Sequence, residues 1–323
     1  MALDRVQAMT ECLKKEVGIT VAKRVINGKR RSTVKQQQVA WTALQDWLRI
    51  NPEQGISISS LLEFFIFLKD TKKLSPVTIR NYRSYLLLPI QLVANVNLKD
   101  WRFKEFENSF FIETPKSNPS IPSWSVQKVL DLLKEKSYDS DSCVLYNLLK
   151  KSVFLVALAT ANRVSEMAAM WLPFSKNISE NSLQIPIKPG FLFKNQRLGR
   201  NPPNIVVASL TDGNNQWCPV KTLETYLRRS GRSRGPLFCN SKTNNPLKAS
   251  TISHLLCSLI NEADPGCFPK AHDVRKAATS LAWTRGLRMD EITKRAFWTS
   301  SNVFIDRYLH PRAGQGVALN THC

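Results

Sequence analysis

The residues best suited to chemistry lie in the second half of the chain and begin with two arginines and a histidine. Arg163 lies in the segment Thr160–Glu166, and His272 and Arg275 form a His-Asp-Val-Arg motif that places both on one face of a helix. Guanidinium groups can each donate paired hydrogen bonds to phosphate oxygens without losing their charge. Two of them would stabilise the extra negative charge that develops when a phosphodiester is cleaved.

Three more side chains follow along the chain and extend this candidate cleavage site. Lys194 follows the apolar run Phe191–Phe193, Trp298 lies at a predicted helix start, and Tyr308 lies on the last predicted helix. Tyrosine can attack phosphorus, but its phenol has a pKa of about 10 and is protonated at neutral pH. A cationic pocket would favour the phenolate, and a base such as His272 could accept the proton. Lys194 is a candidate acid for a departing oxygen, and Trp298 can donate its indole N–H to phosphate.

Taken singly, each of these residues also has an ordinary structural explanation. An arginine at a helix end usually forms a salt bridge, and a lysine in a turn is usually solvated. Trp298 is explained equally well as a core aromatic. Glu166 is expected to support local helix packing or an arginine rather than to contact a ligand. The order and spacing of the whole set therefore carry more weight than any one member.

The order Arg, Lys, His-x-x-Arg, Trp, Tyr is similar to that of the tyrosine recombinase (phage integrase) family. The matching positions are the first arginine motif (Arg163, Ser165, Glu166), the β-hairpin lysine (Lys194), the His-x-x-Arg box (His272, Arg275), a position held by His or Trp (Trp298) and the nucleophile (Tyr308). The segment 296–309 further resembles the branch carried by DIRS-type retrotransposons and related eukaryotic elements. Two features depart from the family pattern: Trp298 and Tyr308 are ten residues apart, a longer spacing than the commonest one, and Lys188 is a rival for the hairpin lysine.

The resemblance implies a site-specific DNA recombinase or integrase that cleaves and rejoins strands through a 3′-phosphotyrosine intermediate, without a metal or another cofactor. It implies double-stranded DNA as the partner and a homotetramer that acts on two DNA sites. Two alternatives stay open, a DNA-relaxing enzyme like type IB topoisomerases and a DNA-binding derivative of the fold that no longer cuts. A protein of a eukaryotic mobile element would act in the nucleus, and otherwise the expected location is inside the cell.

The charge of the chain independently favours a polyanionic partner. Lys and Arg number 46 against 25 Asp and Glu, which gives a net charge of +21 and a pI near 9.9. Such an excess is typical of nucleic-acid binding, with an anionic membrane surface as the second candidate. The sequence has neither a secretory signal nor a basic amphipathic helix with an aromatic stripe, so we expect no membrane partner. The basic clusters at 23–24 and 29–31 suit a nuclear import signal or an arm that touches DNA.

Seven scattered cysteines argue against a secreted disulfide framework. Cys239, His254, Cys257 and Cys267 lie close enough in sequence to hold zinc, but buried structural thiols are the favoured interpretation. An apolar content of 43% excludes a fully disordered chain.

Hydrophobic periodicity and the resemblance together predict a mainly α-helical, integrase-like protein. We expect a basic lead-in at 1–33, a helical core-binding domain that contacts DNA at 34–113, and a linker rich in Pro and Ser at 114–123. A mostly helical catalytic domain with a small antiparallel β-sheet and a C-terminal tail is expected at 124–323.

Local signals mark the helices of the first domain. Ser60 and Glu63 predict a capping box ahead of Phe64, and Ser75 followed by Pro76 predicts the start of a third helix. The apolar face of this third helix is expected to carry Val77, Ile79, Tyr82 and Leu86. The residues that point away from it are candidate contacts to DNA phosphates or base edges, with a solvated face as the alternative: Thr78, Arg80, Asn81 and Arg83.

The second domain reads as helices around a few strands. The predicted strands are Leu183–Ile187, Phe191–Phe193 and Ile205–Ala208. The predicted helices are Ser125–Lys136, Asp141–Ala161 (buried in its latter half), Pro219–Arg229, Ala249–Glu262, Ala271–Arg285, Met289–Phe297 and about 301–309.

Overall fold

The computed structural model describes residues 4–113, 124–177, 181–196, 205–209, 215–298, 300–302 and 305. The chain divides into two compact units, Met1–Asn118 and Pro119–Cys323, and the predicted linker at 114–123 lies outside the described residues. Over the described residues the protein has thirteen α-helices and two small antiparallel sheets, which confirms the predicted fold class. None of these helices is both long and apolar enough to cross a membrane.

The first unit is a helical bundle whose core is aromatic. Its helices are α1 (Arg5–Val17), α2 (Ile19–Asn27), α3 (Arg31–Ile50), α4 (Ile58–Asp70), α5 (Pro76–Ala94) and α6 (Trp101–Glu113). Trp41, Phe64, Phe65 and Phe103 are almost fully buried and form the centre of this core, whereas Trp101 is exposed. The ring of Phe65 meets the edge of the Phe103 ring at 6.0 Å, which packs α4 against α6.

The first two helices belong to this unit, although the sequence suggests a lead-in that is separate from the bundle. Ala8 and Met9 of α1 are buried, and Ala22 and Ile26 of α2 are almost inaccessible to solvent. Arg5 donates a hydrogen bond of 3.0 Å to the side-chain oxygen of Gln37 in α3. Short apolar faces on α1 and α2 are therefore buried within the first unit.

The helix starts of the bundle depend on serine caps. Ser57 caps α4: its hydroxyl accepts from the Ser60 N–H at 3.2 Å, and its own N–H donates to the Ser60 hydroxyl at 2.9 Å. The predicted box of Ser60 and Glu63 is therefore wrong by one turn. Ser75 caps α5 as predicted, with Pro76 in the first turn.

One side of α5 faces the core of the first unit. Ile79 and Leu86 are fully buried, as predicted, whereas Val77 is 45% exposed. The placement of Val77 on the apolar face is wrong because residues two apart in a helix lie on nearly opposite sides.

The second unit is built around one buried helix. Its helices are α7 (Val126–Leu132), α8 (Leu145–Thr160), α9 (Val164–Met167), α10 (Pro219–Ser230), α11 (Ala249–Ala263), α12 (Ala271–Thr284) and α13 (Met289–Arg295). Residues 148–157 of α8 are buried without interruption, which confirms the predicted burial of this segment. Even Lys151 lies inside, where its ammonium group donates to the carbonyls of Leu133 and Tyr138 at 3.2 and 2.9 Å. Burial lowers the pKa of Lys151.

Two small sheets flank these helices. The strands are β1 (Trp171–Leu172), β2 (Ser175–Asn177), β3 (Ser182–Ile185), β4 (Ile205–Ala208) and β5 (Gly235–Pro236). The order β2-β3-β4 forms one antiparallel sheet, with Ser182 opposite Ala208 and Ile185 opposite Ile205, and β1 pairs with β5. We call residues 186–196, which follow β3, the β3–β4 connection.

The predicted strand Phe191–Phe193 is wrong. These residues lie in the β3–β4 connection and form no strand. Phe193 is buried because its ring packs edge-on against Phe191 and Phe297 at 5.3 and 5.7 Å. The apolar run therefore reflects side-chain packing rather than a strand ladder.

The position of the α4 cap can be tested by stability measurements. We expect Ser57→Ala to lower the free energy of unfolding by about 1 kcal/mol, because the first turn loses its cap. Glu63→Ala at an exposed site should change it by less than about 0.5 kcal/mol. Urea denaturation of both variants beside the wild type measures this. The reverse ranking would restore the box at Ser60 and Glu63.

Candidate active site and DNA-contact residues

Arg163 lies where the buried helix α8 gives way to α9. Ala161 adopts the left-handed conformation with φ 51°, which ends α8, and Arg163 precedes the first turn of α9. The N–H of Arg163 donates to Oε2 of Glu166 at 2.8 Å, and its guanidinium donates to Oε1 of the same carboxylate at 2.8 Å. The side chain of Glu166 is only 3% exposed. The guanidinium of Arg163 is thus anchored by a buried anion.

Arg275 also approaches this carboxylate. It lies in α12 with its side chain 2% exposed, and its Nη1 is 3.8 Å from Oε2 of Glu166. Its Nη2 donates to the carbonyl of Ala296 at 2.6 Å, and its guanidinium lies 5.0 Å from the ring centre of Trp298. Glu166 therefore joins two arginines that are 112 positions apart in the sequence.

This arrangement brings the two predicted arginines into one cluster. It also confirms the expectation that Glu166 supports an arginine. Two guanidinium groups against one carboxylate leave an excess of positive charge, and such a cluster is suited to an anion.

His272 lies in the first turn of α12, beside these charges. Its pKa is lowered to about 4, first by desolvation and then by the positive charges of Arg275 and Lys276, with a smaller contribution from Arg163 and opposition from Asp273. The residue is exposed at the surface on one side, so a solute can reach it. At neutral pH the imidazole is uncharged and can accept a proton.

The segment after α13 closes the cluster. Trp298 is 3% exposed and packs with Ile292 and Ala296, so the core-packing explanation describes its surroundings. Asn195 of the β3–β4 connection donates its side-chain N–H to the carbonyl of Phe297 at 2.8 Å.

The two candidate hairpin lysines are both exposed, but their backbones have different neighbours. Lys194 lies between Phe193 and Asn195, and both of these contact Phe297. The N–H of Lys188 donates to the carbonyl of Ala169 at 2.8 Å, next to β1. Tyr308 lies outside the described residues.

The four candidate DNA contacts on α5 have different environments. Arg80 and Asn81 are exposed, and the guanidinium of Arg80 lies 4.6 Å from the ring centre of Phe111. Arg83 instead ties α5 to α6: its Nε is 2.7 Å from Oε1 of Glu107. Thr78 is part of the helix start, because its hydroxyl lies 2.9 Å from that of Ser75.

The three cysteines considered for zinc hydrogen-bond to carbonyl groups, and Cys267 donates to the side-chain carbonyl of Asn261 at 3.4 Å. Cys257 donates to the carbonyl of Pro269 at 3.2 Å and Cys239 to that of Pro236 at 3.7 Å. Burial raises the pKa of both thiols. Over the described ranges there is no group of three or more metal-ligating side chains.

Comparison with solved structures identifies the fold. XerH site-specific recombinase bound to difH substrate has a TM-score of 0.61 at 15% identity, covering 97% of this chain and 83% of that one. The Tn1549 transposon integrase with transposon right end DNA has a TM-score of 0.57 at 13% identity and 96% coverage of both chains. A lambda integrase tetramer bound to a Holliday junction has a TM-score of 0.52 at 14% identity, covering 88% and 74%. The chain has the integrase-like fold. No family model and no curated protein sequence matches it.

Sequence reasoning missed two residues of this integrase-like fold that hold the site. Asp273 accepts the N–H of Lys270 at 3.0 Å and so caps α12, and an acidic residue at the third helical position was a usable signal. Asn195 had no such signal, because its partner Phe297 is 102 positions away.

The buried carboxylate can be tested against a matched surface site. Arg288 and Glu291 repeat the local geometry of Arg163 and Glu166, since the Arg288 N–H donates to Glu291, but both side chains are exposed. We expect Glu166→Gln to lower the free energy of unfolding by about 3 kcal/mol, because the buried guanidinium of Arg275 and the partly buried one of Arg163 lose their counter-charge. Glu291→Gln should cost less than about 0.5 kcal/mol. Similar losses in chemical denaturation of the two variants would contradict the role of Glu166.

The lowered pKa of His272 predicts a pH dependence of stability. Between about pH 6.5 and about pH 4 the unfolded chain binds a proton at this position while the folded chain does not, so stability falls as the pH falls. His272→Gln should remove this contribution and flatten the fall in that window. Thermal melts from pH 7 to pH 4 measure it, with His254→Gln as the control for loss of a histidine. An unchanged slope in His272→Gln would contradict the environment described for it.

Proposed function

We propose that this protein is a site-specific DNA recombinase or integrase that cleaves and rejoins duplex DNA through a 3′-phosphotyrosine intermediate, with Tyr308 as the nucleophile. The observation that carries the proposal is the convergence of Arg163 and Arg275 on the buried carboxylate of Glu166. It occurs beside an uncharged, solvent-accessible histidine. The solved structures with this fold are recombinases and integrases, several of them bound to DNA.

The electrostatics of the cluster suit a phosphodiester in its transition state. Glu166 compensates one of the two positive charges, and the remaining charge is available to the nonbridging oxygens of a phosphate. Both guanidiniums are held before substrate binds, so little reorganisation is needed when negative charge develops. The overall charge of +21 favours the approach of duplex DNA.

The proposed reaction exchanges one ester for another. The phenol oxygen of Tyr308 attacks phosphorus, its proton passes to His272, and the bond from phosphorus to the 5′ oxygen breaks. Lys194 donates a proton to that oxygen. Rejoining reverses these steps with a 5′ hydroxyl from another strand, and no nucleotide hydrolysis is required because the ester energy is conserved. Lys194 is favoured over Lys188 because both of its sequence neighbours contact Phe297, next to Trp298.

The proposal extends to assembly and origin. A homotetramer on two DNA sites is supported by the lambda integrase tetramer on a Holliday junction. On α5, Arg80 and Asn81 are exposed and suited to DNA contact, whereas Arg83 already binds Glu107. The resemblance of the segment 296–309 to DIRS-type elements supports a mobile-element protein that acts in the nucleus.

A covalent adduct tests the enzymatic proposal directly. The full chain is incubated with nicked duplexes that carry a random central segment, so that cleavage near the nick releases a short fragment and traps the protein on DNA. We expect SDS-resistant adducts from the wild type and none from Tyr308→Phe, since phenylalanine lacks the attacking oxygen. Tyr146→Phe, which alters an exposed tyrosine on α8, is the matched control and should form adducts.

Each outcome of this experiment is informative. Sequencing the trapped DNA should reveal a shared target. Adducts spread over unrelated sequences, together with relaxation of any supercoiled plasmid, would replace the recombinase by a topoisomerase-like enzyme. A wild type that traps no DNA, or a Tyr308→Phe variant that still does, would overturn the proposed mechanism.

A further inference from the structure

The short segment that leads from α13 to Trp298 is held at two consecutive carbonyls by two distant parts of the chain. Arg275 of α12 donates to the carbonyl of Ala296 at 2.6 Å. Asn195 of the β3–β4 connection donates to the carbonyl of Phe297 at 2.8 Å. One donor belongs to the arginine cluster, and the other is the immediate neighbour of Lys194.

The backbone at Phe297 explains why a side-chain donor is needed there. Phe297 adopts the left-handed conformation with φ 51°, and the N–H groups of Phe297 and Trp298 close the last turn of α13 on Lys294 and Thr293. The chain then leaves the helix, so the Phe297 carbonyl has no place in the helical hydrogen-bond ladder. The amide of Asn195 supplies its partner.

A second contact fixes the same connection from the other side of Lys194. The ring of Phe193 packs edge-on against the ring of Phe297 at 5.7 Å and is almost fully buried. Lys194 is therefore the exposed residue between two neighbours that are both anchored to Phe297. A long flexible side chain on an anchored backbone samples a smaller volume than one on a free loop.

We propose that Asn195 is a positioning residue that locks the β3–β4 connection, with its lysine, onto the segment that leads to the nucleophile. This inference rests on the proposed function, in which Lys194 protonates the leaving oxygen and Tyr308 lies ten residues after Trp298. Asn195 binds Phe297, and Arg275 binds the neighbouring residue Ala296, so the hydrogen bond from Asn195 fixes the position of Lys194 relative to Arg275. The positions of Lys194 and Arg275 are then both fixed relative to residues 296–298.

The leaving group offers a readout that a purely structural role would not move. A 5′ oxygen needs a proton as it departs, whereas a 5′ sulfur at the same bridging position departs as a thiolate because its pKa is much lower. A variant that misplaces only the acid should therefore be slow on the oxygen-bridged substrate and nearly normal on the sulfur-bridged one. A variant that disturbs the whole site should be slow on both.

The experiment compares Asn195→Ala and Asn195→Asp with Gln196→Ala, on duplexes of the sequence recovered from the trapped adducts. Gln196 lies in the same turn, but its side chain accepts from the Phe193 N–H instead of reaching Phe297. We expect both Asn195 variants to cleave the oxygen-bridged duplex about tenfold more slowly in a single turnover. On the sulfur-bridged duplex they should lie within about twofold of the wild type, as should Lys194→Ala. Gln196→Ala should match the wild type on both.

A second measurement does not depend on DNA cleavage. Brief digestion of the native protein with trypsin, read by mass spectrometry, reports how often the connection opens at Lys188 and Lys194. We expect Asn195→Ala to raise cleavage there about fivefold, as loss of one hydrogen bond allows, with Gln196→Ala unchanged.

The two measurements separate failure of the inference from failure of the proposed function. Equal slowing on both substrates, a wild-type rate in Asn195→Ala, or unchanged trypsin sensitivity would each overturn the positioning role of Asn195. A wild type that forms no adduct on either substrate would overturn the proposed function, and the trypsin result would then still decide whether Asn195 locks the connection.

Discussion

The carboxylate of Glu166 is the group on which the rest of the site depends. A buried guanidinium such as that of Arg275, with the partly buried one of Arg163 beside it, is costly unless an anion compensates the charge. Glu166 does this for Arg163 within one turn of helix and for Arg275 across the unit. Glu166 lies shortly after the buried helix α8, and its carboxylate is itself almost fully shielded from water. The main helix of the second unit, α8, therefore leads directly to the segment that carries the buried carboxylate of Glu166.

Partial compensation makes the cluster useful as well as stable. A second buried acid would neutralise both arginines and leave nothing for a substrate. With one acid, the cluster remains an incomplete ion-pair network, and a phosphate completes it. Desolvation first, and then the positive charges of Arg275 and Lys276, lower the pKa of His272, so its imidazole is uncharged at neutral pH. The same ion-pair network of Glu166, Arg163 and Arg275 therefore stabilises the second unit and provides the positive charge for an anion.

The first unit divides its basic residues between the surface and the interior. On α5, Arg80 and Asn81 stay exposed, while Arg83 pairs with Glu107 and joins two helices. Burial raises the pKa of Glu107, and the positive charges of Arg83 and Arg80 oppose that rise. A helix face that looks uniformly basic in sequence thus carries both a structural ion pair and a surface open to a polyanion.

Local sequence patterns determined the helices and the candidate chemistry. Periodicity located α10, α11 and α12 to within one residue at each end, because amphipathic spacing and end signals act over a few positions. The start of α5 at Ser75 and Pro76 and the strand Ile205–Ala208 follow from the same short-range signals. The spacing of His272 and Arg275 placed them on one helix face, and the order of residue types indicated phosphodiester chemistry.

Only the tertiary structure decided which of these residues meet. It placed Glu166 between two arginines, packed α1 and α2 onto the bundle and turned Phe193 toward Phe297 rather than into a strand. The bond between Asn195 and Phe297 joins residues 102 positions apart, and no pattern within either segment encodes its partner. Such contacts depend on the path of the whole chain and on which backbone groups lack a partner within their own helix or strand. A local stretch of sequence contains neither kind of information.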